Sequence, residues 1–185
     1  LRTINNITIV SPADNFESSE VIKQSLDYDK PLFIRYGKKP TLNLHKEGQK
    51  FKIGKAIVVN QGDDIVLIAT GETVQRAYLA SQILKNEGLN ATVISMHTIK
   101  PFDKETFLEA VSSAKVLISL EEHSIYGGLG EMCASILSQE KISINFKILG
   151  IPDEYMINGS QSEVLDHYDM DPNKISELAK FLINK

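Results

Sequence analysis

A chain of 185 residues, 42% apolar and with a net charge of −4, has enough apolar mass to bury a core and lacks the basic excess that nucleic-acid binding draws on. No apolar run approaches the roughly 18 residues that span a bilayer, and the opening LRTINNITIV has no charged-then-apolar leader pattern. The single cysteine, Cys133, has no partner for an internal disulfide, which fits a reducing, cytoplasmic setting.

In chain order, 7–10 reads as a strand, and Asp14 follows as a helix N-cap with Glu17 three residues on, close to a capping box. Val21, Ile22 and Leu26 supply one apolar face of that helix, and 32–36 reads as a second strand. The stretch GKKPTLNLHKEGQKFKIGK, from Gly37 to Lys55, is rich in lysine and glycine without a clear period and reads as a linker. Apolar runs at 56–59 and 65–69 flank QGDD, a turn-type sequence that predicts a hairpin and hence one antiparallel pair. A helix is predicted over 72–86, closed by Gly88, then a strand over 91–96. Pro101 breaks the chain, Asp103 caps a helix running to about Ala110, and 116–120 is a strand. The pattern continues with a helix over 128–138, a last strand over 146–149 and a final helix over 173–183 opened by Asp171 or Pro172. This alternation predicts an α/β fold in three layers, α/β/α, with a mostly parallel sheet of about five strands and one antiparallel strand. The first 36 residues, with a small sheet of their own, are expected to be poorly ordered or to pair with a neighbouring chain or with the intact domain.

The stretch EEHSIYGGLGEMCASILSQ, Glu121 to Gln139, gathers two adjacent glutamates, a histidine, three glycines and the cysteine. It stands where open α/β sheets place ligands, at the carboxyl end of a parallel strand. Adjacent strand residues point to opposite faces, however, so Glu121 and Glu122 cannot jointly flank one bond. GGLG is neither the spaced dinucleotide fingerprint nor a phosphate-binding loop with its lysine. The stretch therefore reads as a structural strand-to-helix turn, with Gly127 or Gly128 at positive φ and Cys133 as a small buried hydrophobe. His45, His97 and His167 show no H-x-x-x-H pairing for a metal. Asp166, Asp169 and Asp171 lack the glycine and glutamate of a calcium loop and read as a solvated loop. No G-x-S-x-G elbow is present, so no catalytic residue is assigned. Arg35, Lys38 and Lys39 form a short basic cluster after the second strand, a cation set able to hold a phosphate.

Taken in order, NITIVSPAD, PLFIRYGKKP, KIGKAIVVNQGDDIVLIATGETV, MHTIKPFD, LEEHSIYGGLGE and LGIPDEYMINGSQSEVL resemble the carboxy-terminal part of a transketolase-family enzyme over essentially the whole chain. The resemblance implies 1–37 as the tail of a pyrimidine-binding domain, 38–55 as a linker and 56–185 as the carboxy-terminal domain. It implies a parent enzyme that uses thiamine diphosphate and magnesium, bound by upstream domains at a dimer interface, to transfer a two-carbon ketol unit between sugar phosphates. The opening at Leu1 carries the expectation that the chain is a piece of something longer, and the resemblance implies that the diphosphate-and-metal domain and the cofactor-activating glutamate lie outside it, so that it is expected to be inactive alone and to bind no cofactor itself. Its expected partners are the missing N-terminal domains or a separate N-terminal subunit, with a homodimer in the full enzyme. Deoxyxylulose-phosphate synthase and the docking domain of a 2-oxo-acid dehydrogenase β subunit are the alternatives. One residue carries over. Where the family has a substrate-phosphate-binding arginine, counting from Pro31, this chain has Lys38, which keeps the charge but loses the bidentate fork. Arg35 is the nearby alternative.

Overall fold

The computed structural model describes residues 1–38, 41–45 and 48–185. Lys39 of the basic cluster and part of the 38–55 stretch lie outside the described residues. In chain order the elements are β1 (Thr8–Val10), α1 (Asn15–Ser25), β2 (Leu32–Ile34), β3 (Ile57–Asn60), β4 (Ile65–Ala69), α2 (Thr73–Asn86), β5 (Ala91–Ser95), β6 (Thr98–Lys100), α3 (Lys104–Val111), β7 (Val116–Ser124), α4 (Leu129–Gln139), β8 (Asn145–Ile151), α5 (Gln161–His167) and α6 (Pro172–Ile183).

The main sheet runs β3-β5-β4-β7-β8, parallel throughout except for β3. Every residue of β4 and β5 is buried, as befits strands covered on both faces. Alternate residues serve opposite layers. Ile65, Leu67 and Ala69 meet α2 through Val74, Ala77 and Leu84, and share that core with Ile175 and Ala179 of α6. Val66 and Ile68 share the other core with Phe107 of α3 and Leu129 and Cys133 of α4. The α/β/α architecture is the one the alternation of strands and helices predicts.

The predicted hairpin is not formed. β3 is antiparallel, as expected, but its partner is β5 and not β4. The reason lies at Gly62. A Cβ there would stand 2.5 Å from the Asn90 carbonyl carbon and 2.6 Å from the Ala91 nitrogen. The turn thus passes directly against the start of β5, where the Gly62 amide donates to Thr92 Oγ1 at 3.0 Å and Asn60 Nδ2 to the Ala91 carbonyl at 2.7 Å. The chain crosses β5 and enters β4 on its far side.

Two elements escape the sequence pattern. One is α5, opened by a Ser160–Glu163 capping box. The other is β6, three residues long, which pairs antiparallel with β1 to build a second sheet, β2-β1-β6. Through it the first 36 residues pair with the rest of the chain. The Ser11 amide donates to the His97 carbonyl at 2.7 Å, the Gly71 amide to the Ser11 carbonyl at 3.1 Å, and Ser95 Oγ to Glu17 at 2.6 Å. Val10, Val21, Phe51, Ile53 and Ile57 pack into a small core of their own. The acidic run after α5 is more than a solvated loop: Asp166 pairs with Arg76, Asp169 with Lys174 at 2.7 Å, and Asp171 caps α6.

In α6, Ile175 and Ala179 are fully buried while Leu178 and Leu182 are only partly so. Ile175→Ala is expected to cost about 2–5 kcal/mol and Leu178→Ala less. Deleting residues 1–36 would expose Phe51, Ile53 and Ile57 and strip Ser95 of its carboxylate. It is therefore expected to cost more than either substitution. Urea denaturation of the three variants gives the ranking; a deletion variant as stable as the parent would refute it.

Candidate functional site

The carboxyl end of β7 organises the site. Glu121 and Glu122 are successive, and each serves the layer its side chain faces. Glu121 is fully buried and accepts from the Leu129 and Gly130 amides at 2.8 and 2.9 Å, the unpaired donors at the start of α4. His123 Nε2 lies 3.1 Å from the same carboxylate. A Cβ on Gly128 would meet Glu121 Oε2 at 1.7 Å, so close approach requires glycine there, while Gly127 takes the positive φ, +73°. Burial raises the Glu121 carboxyl to about 7 against the two amide hydrogen bonds that favour its charge. Cys133 lies inside α4, and burial pushes its thiol far up, so it is a packing residue.

Glu122 points the other way, to the start of α2. Its side chain is 2% exposed and is ion-paired with Arg35, whose side chain is 38% exposed. Arg35 also donates to the Glu122 carbonyl at 3.3 Å, and Gln161 Nε2 to Glu122 Oε2 at 2.9 Å. Burial raises the Glu122 carboxyl, and the Arg35 charge acts against that rise. A Cβ on Gly71, which has φ +58°, would stand 2.7 Å from both Glu122 Oε1 and Ser11 Oγ. Three distant segments, the ends of β2 and β7 and the start of α5, thus meet on one carboxylate.

Arg35 and Lys38, the two residues expected to hold a phosphate, line one cleft of about 490 Å³ together with Glu122, Gln161, Ser160 and Met156. They differ in what is left to give. Arg35 is committed to Glu122. Lys38 is exposed, and among the described residues no ion pair engages it. Two cations thus stand at the strand ends, Lys38 as an exposed point charge and Arg35 with N–H donors left over beyond those given to Glu122. Gln161 belongs to this cleft and carried no signal in the sequence, because α5 is too short to show a period. The described residues contain no group of three or more His, Cys, Asp or Glu placed to hold a metal ion.

The open α/β domain with its cleft at the strand ends has known counterparts. A family model for "Transketolase, C-terminal domain" matches residues 54–175, and the chain belongs to that family. It is 34% identical over 186 residues to the B subunit of apulose-4-phosphate transketolase from Phocaeicola vulgatus, a match covering 100% of this chain and 59% of that protein. It is 32% identical over 188 residues to 1-deoxy-D-xylulose-5-phosphate synthase of Halothermothrix orenii, covering 100% of this chain and 30% of the relative. Among solved structures, a split gene transketolase described as an inactive beta4 tetramer superposes with a TM-score of 0.91 at 26% identity, covering 99% of this chain and 60% of that one. The chain thus spans a little over half of the length of the subunit-sized proteins it matches.

The Glu121 carboxyl supplies a pH signature. Its folded pKa, about 7, lies above the ordinary 4.5, so its contribution is fully present below pH 4.5 and is lost as the pH rises through 7. Across that window the parent protein should lose up to about 3 kcal/mol relative to Glu121→Gln, which does not titrate. Urea midpoints at several pH values check this; parallel curves for the two proteins would contradict it. Arg35→Ala leaves Glu122 buried without its cation and is expected to cost about 1–3 kcal/mol, a loss that Glu122→Gln in the same chain should reduce. A double-mutant cycle reads the coupling, and simple additivity would contradict it.

Proposed function

We propose that this chain is the carboxy-terminal part of a thiamine-diphosphate-dependent transketolase that moves a two-carbon ketol unit between sugar phosphates, and that it does not catalyse this by itself. The observation carrying the proposal is the end-to-end match to the B subunit of a transketolase, 34% identical with 100% of this chain aligned. The partner in this reading is a separate N-terminal subunit or an N-terminal segment of the same protein, and the assembled enzyme is a dimer of such halves in the cytoplasm.

In this reading the cofactor and its magnesium are held by the partner portion. This chain's own contribution is to pack against that portion and to hold the substrate's phosphate end. Lys38 supplies a mobile point charge, and Arg35, anchored on Glu122, supplies a fixed one. The full-length match to a deoxyxylulose-phosphate synthase supports a second reading, in which the same cleft receives glyceraldehyde phosphate and the donor is pyruvate.

The experiment is an assay of the chain alone, and of the native enzyme containing it, with thiamine diphosphate, magnesium and a ketose phosphate–aldose phosphate pair. No turnover is expected from the chain alone and turnover from the native enzyme. Turnover by the isolated chain overturns the non-catalytic role, and carbon dioxide release from pyruvate with glyceraldehyde phosphate would select the second reading. In the active enzyme, Lys38→Ala is expected to raise KM for the phosphorylated acceptor about tenfold with kcat little changed, the pattern of lost uniform binding worth about 1.5 kcal/mol. An unchanged KM would remove Lys38 from the site.

A further inference from the structure

Away from the cleft, the structure buries an ionic cluster that neither the fold nor the proposed activity accounts for. The His45 side chain is 2% exposed, and those of Asp14 and Glu17 are fully buried. His45 Nδ1 lies 2.7 Å from Asp14 Oδ2. Its Nε2 lies 3.1 Å from Glu17 Oε1, an ion-pair distance whose angle falls outside hydrogen-bond geometry. A buried imidazole between two carboxylates is an expensive arrangement; its charge offsets one of theirs, and the Ala13 amide and Ser95 Oγ, each donating to Glu17 at 2.6 Å, help to satisfy the other.

The cluster has a location that gives it a use. His45 belongs to a stretch of chain of which residues 41–45 cross the first turn of α1. Thr41 Oγ1 donates to the Ala13 carbonyl at 2.9 Å, the Leu42 amide to Gln75 Oε1 at 3.0 Å, and the Leu44 amide to Asp14 Oδ2 at 2.9 Å. The Phe16 ring covers the imidazole, with centroids 5.0 Å apart. Asp14 is therefore shared: it caps α1 through the Glu17 amide, holds Leu44 and binds His45. Thr41 is three peptide units from Lys38, so anchoring it confines the Lys38 Cα to within about 11 Å of a fixed point. On its other side the loop is anchored by the Arg35 amide on the Val10 carbonyl at 2.8 Å and by the Arg35–Glu122 ion pair. Gly37, Thr41, Asp14 and Asn15 line one small polar cavity, so the loop and the strap face each other across α1's start.

We propose that His45 is a positioning residue: clamped between Asp14 and Glu17, it latches the strap 41–45 across the first turn of α1 and thereby places Lys38 over the phosphate cleft. The proposal rests on the reading of Lys38 as a phosphate ligand, but the latch itself is testable without it. The titratable groups facing the ring are Asp14 and Glu17 from α1 and His97 from the β5–β6 turn. Burial opposes the His45 charge, but the hydrogen bond to Asp14 and the nearby negative charges of Glu17 and Asp14 outweigh it and carry the imidazole to about 9. The same contact holds Asp14 below the usual carboxylate range against its burial. His97, buried and stacked on Phe51 at 4.2 Å, is pushed down by burial, so it adds no opposing charge. A folded pKa raised from 6.5 to about 9 means that the latch is fully present below pH 6.5 and is lost as the pH rises through 9. The displacement corresponds to a preference of roughly a hundredfold or more for the charged, latched state.

Two measurements on the whole protein test the latch. In the parent, imidazole NMR signals followed against pH should show one histidine titrating near 9; if all four titrate at or below the ordinary value of 6.5, the proposal is overturned. In His45→Gln, hydrogen exchange at the Leu42 and Leu44 amides, which the strap holds on Gln75 and Asp14, should quicken about tenfold or more at pH 7, with the amides of β4 and β5 unchanged. Unchanged exchange at Leu42 and Leu44 would overturn it. In the active enzyme, His45→Gln should raise KM for the phosphorylated substrate severalfold at pH 7 with kcat held, and the difference from the parent should vanish by pH 10. A fall in kcat at constant KM would mean that His45 acts on something other than Lys38. Should Lys38→Ala leave KM unchanged, the phosphate reading fails while the exchange data still decide the latch, so the two failures are told apart.

Discussion

The structure depends on what two consecutive carboxylates do at the end of one strand. The pleat sends Glu121 and Glu122 to opposite faces of β7, and each face carries a helix that begins just beyond the strand ends. Glu121 satisfies the free amides of α4, and Glu122 sits at the start of α2, where the helix dipole favours a negative group. One strand end therefore fixes both helical layers against the sheet. The cost of burying the two charges is offset differently on each side. Glu121 relies on backbone donors and holds its proton up to about 7, whereas Glu122 relies on the charge of Arg35.

That second choice joins the two sheets. Arg35 reaches Glu122 across 87 positions of sequence and brings the end of the small sheet to the end of the large one. Gln161 closes the same junction from α5. The cleft beside it exists because these three segments meet, and Lys38 is left on its rim as an exposed cation. On the far side of the same loop, the Asp14–His45–Glu17 cluster ties the chain down again. Under the proposed reading, anchoring the chain on both sides of Lys38 would lower the entropy it loses on meeting a phosphate.

Much of this was legible in the residues and some was not, for physical reasons. The helices read over 72–86 and 173–183 and the strands read over 65–69, 91–96 and 116–120 announced themselves because burial on defined faces imposes a period, and the structure moves their ends by a residue or so except at β7, which runs on to Ser124. The antiparallel direction of β3 was legible, since it follows from a local turn. Its partner was not, because crossing under β5 depends on a close backbone approach at Gly62 that sequence spacing does not record. β6, with three residues, and α5, with seven, are shorter than the window a period needs. The structural character of Glu121 followed from strand alternation alone. That Glu122 meets Arg35, and that His45 lies buried between two carboxylates, are facts of tertiary contact, and a solitary histidine in a lysine-rich stretch gave no sign of either. The membership of 54–175 in the transketolase carboxy-terminal domain family agrees with the ordered set of motifs, none of which is specific by itself.

The most direct test of the account is a two-dimensional amide NMR titration of the protein with ribose 5-phosphate at pH 7. The account predicts shifts concentrated at Arg35, Gly37, Lys38 and Gln161, around the cleft that Glu122 organises. A titration that leaves those amides unmoved while perturbing another region of the surface would contradict it.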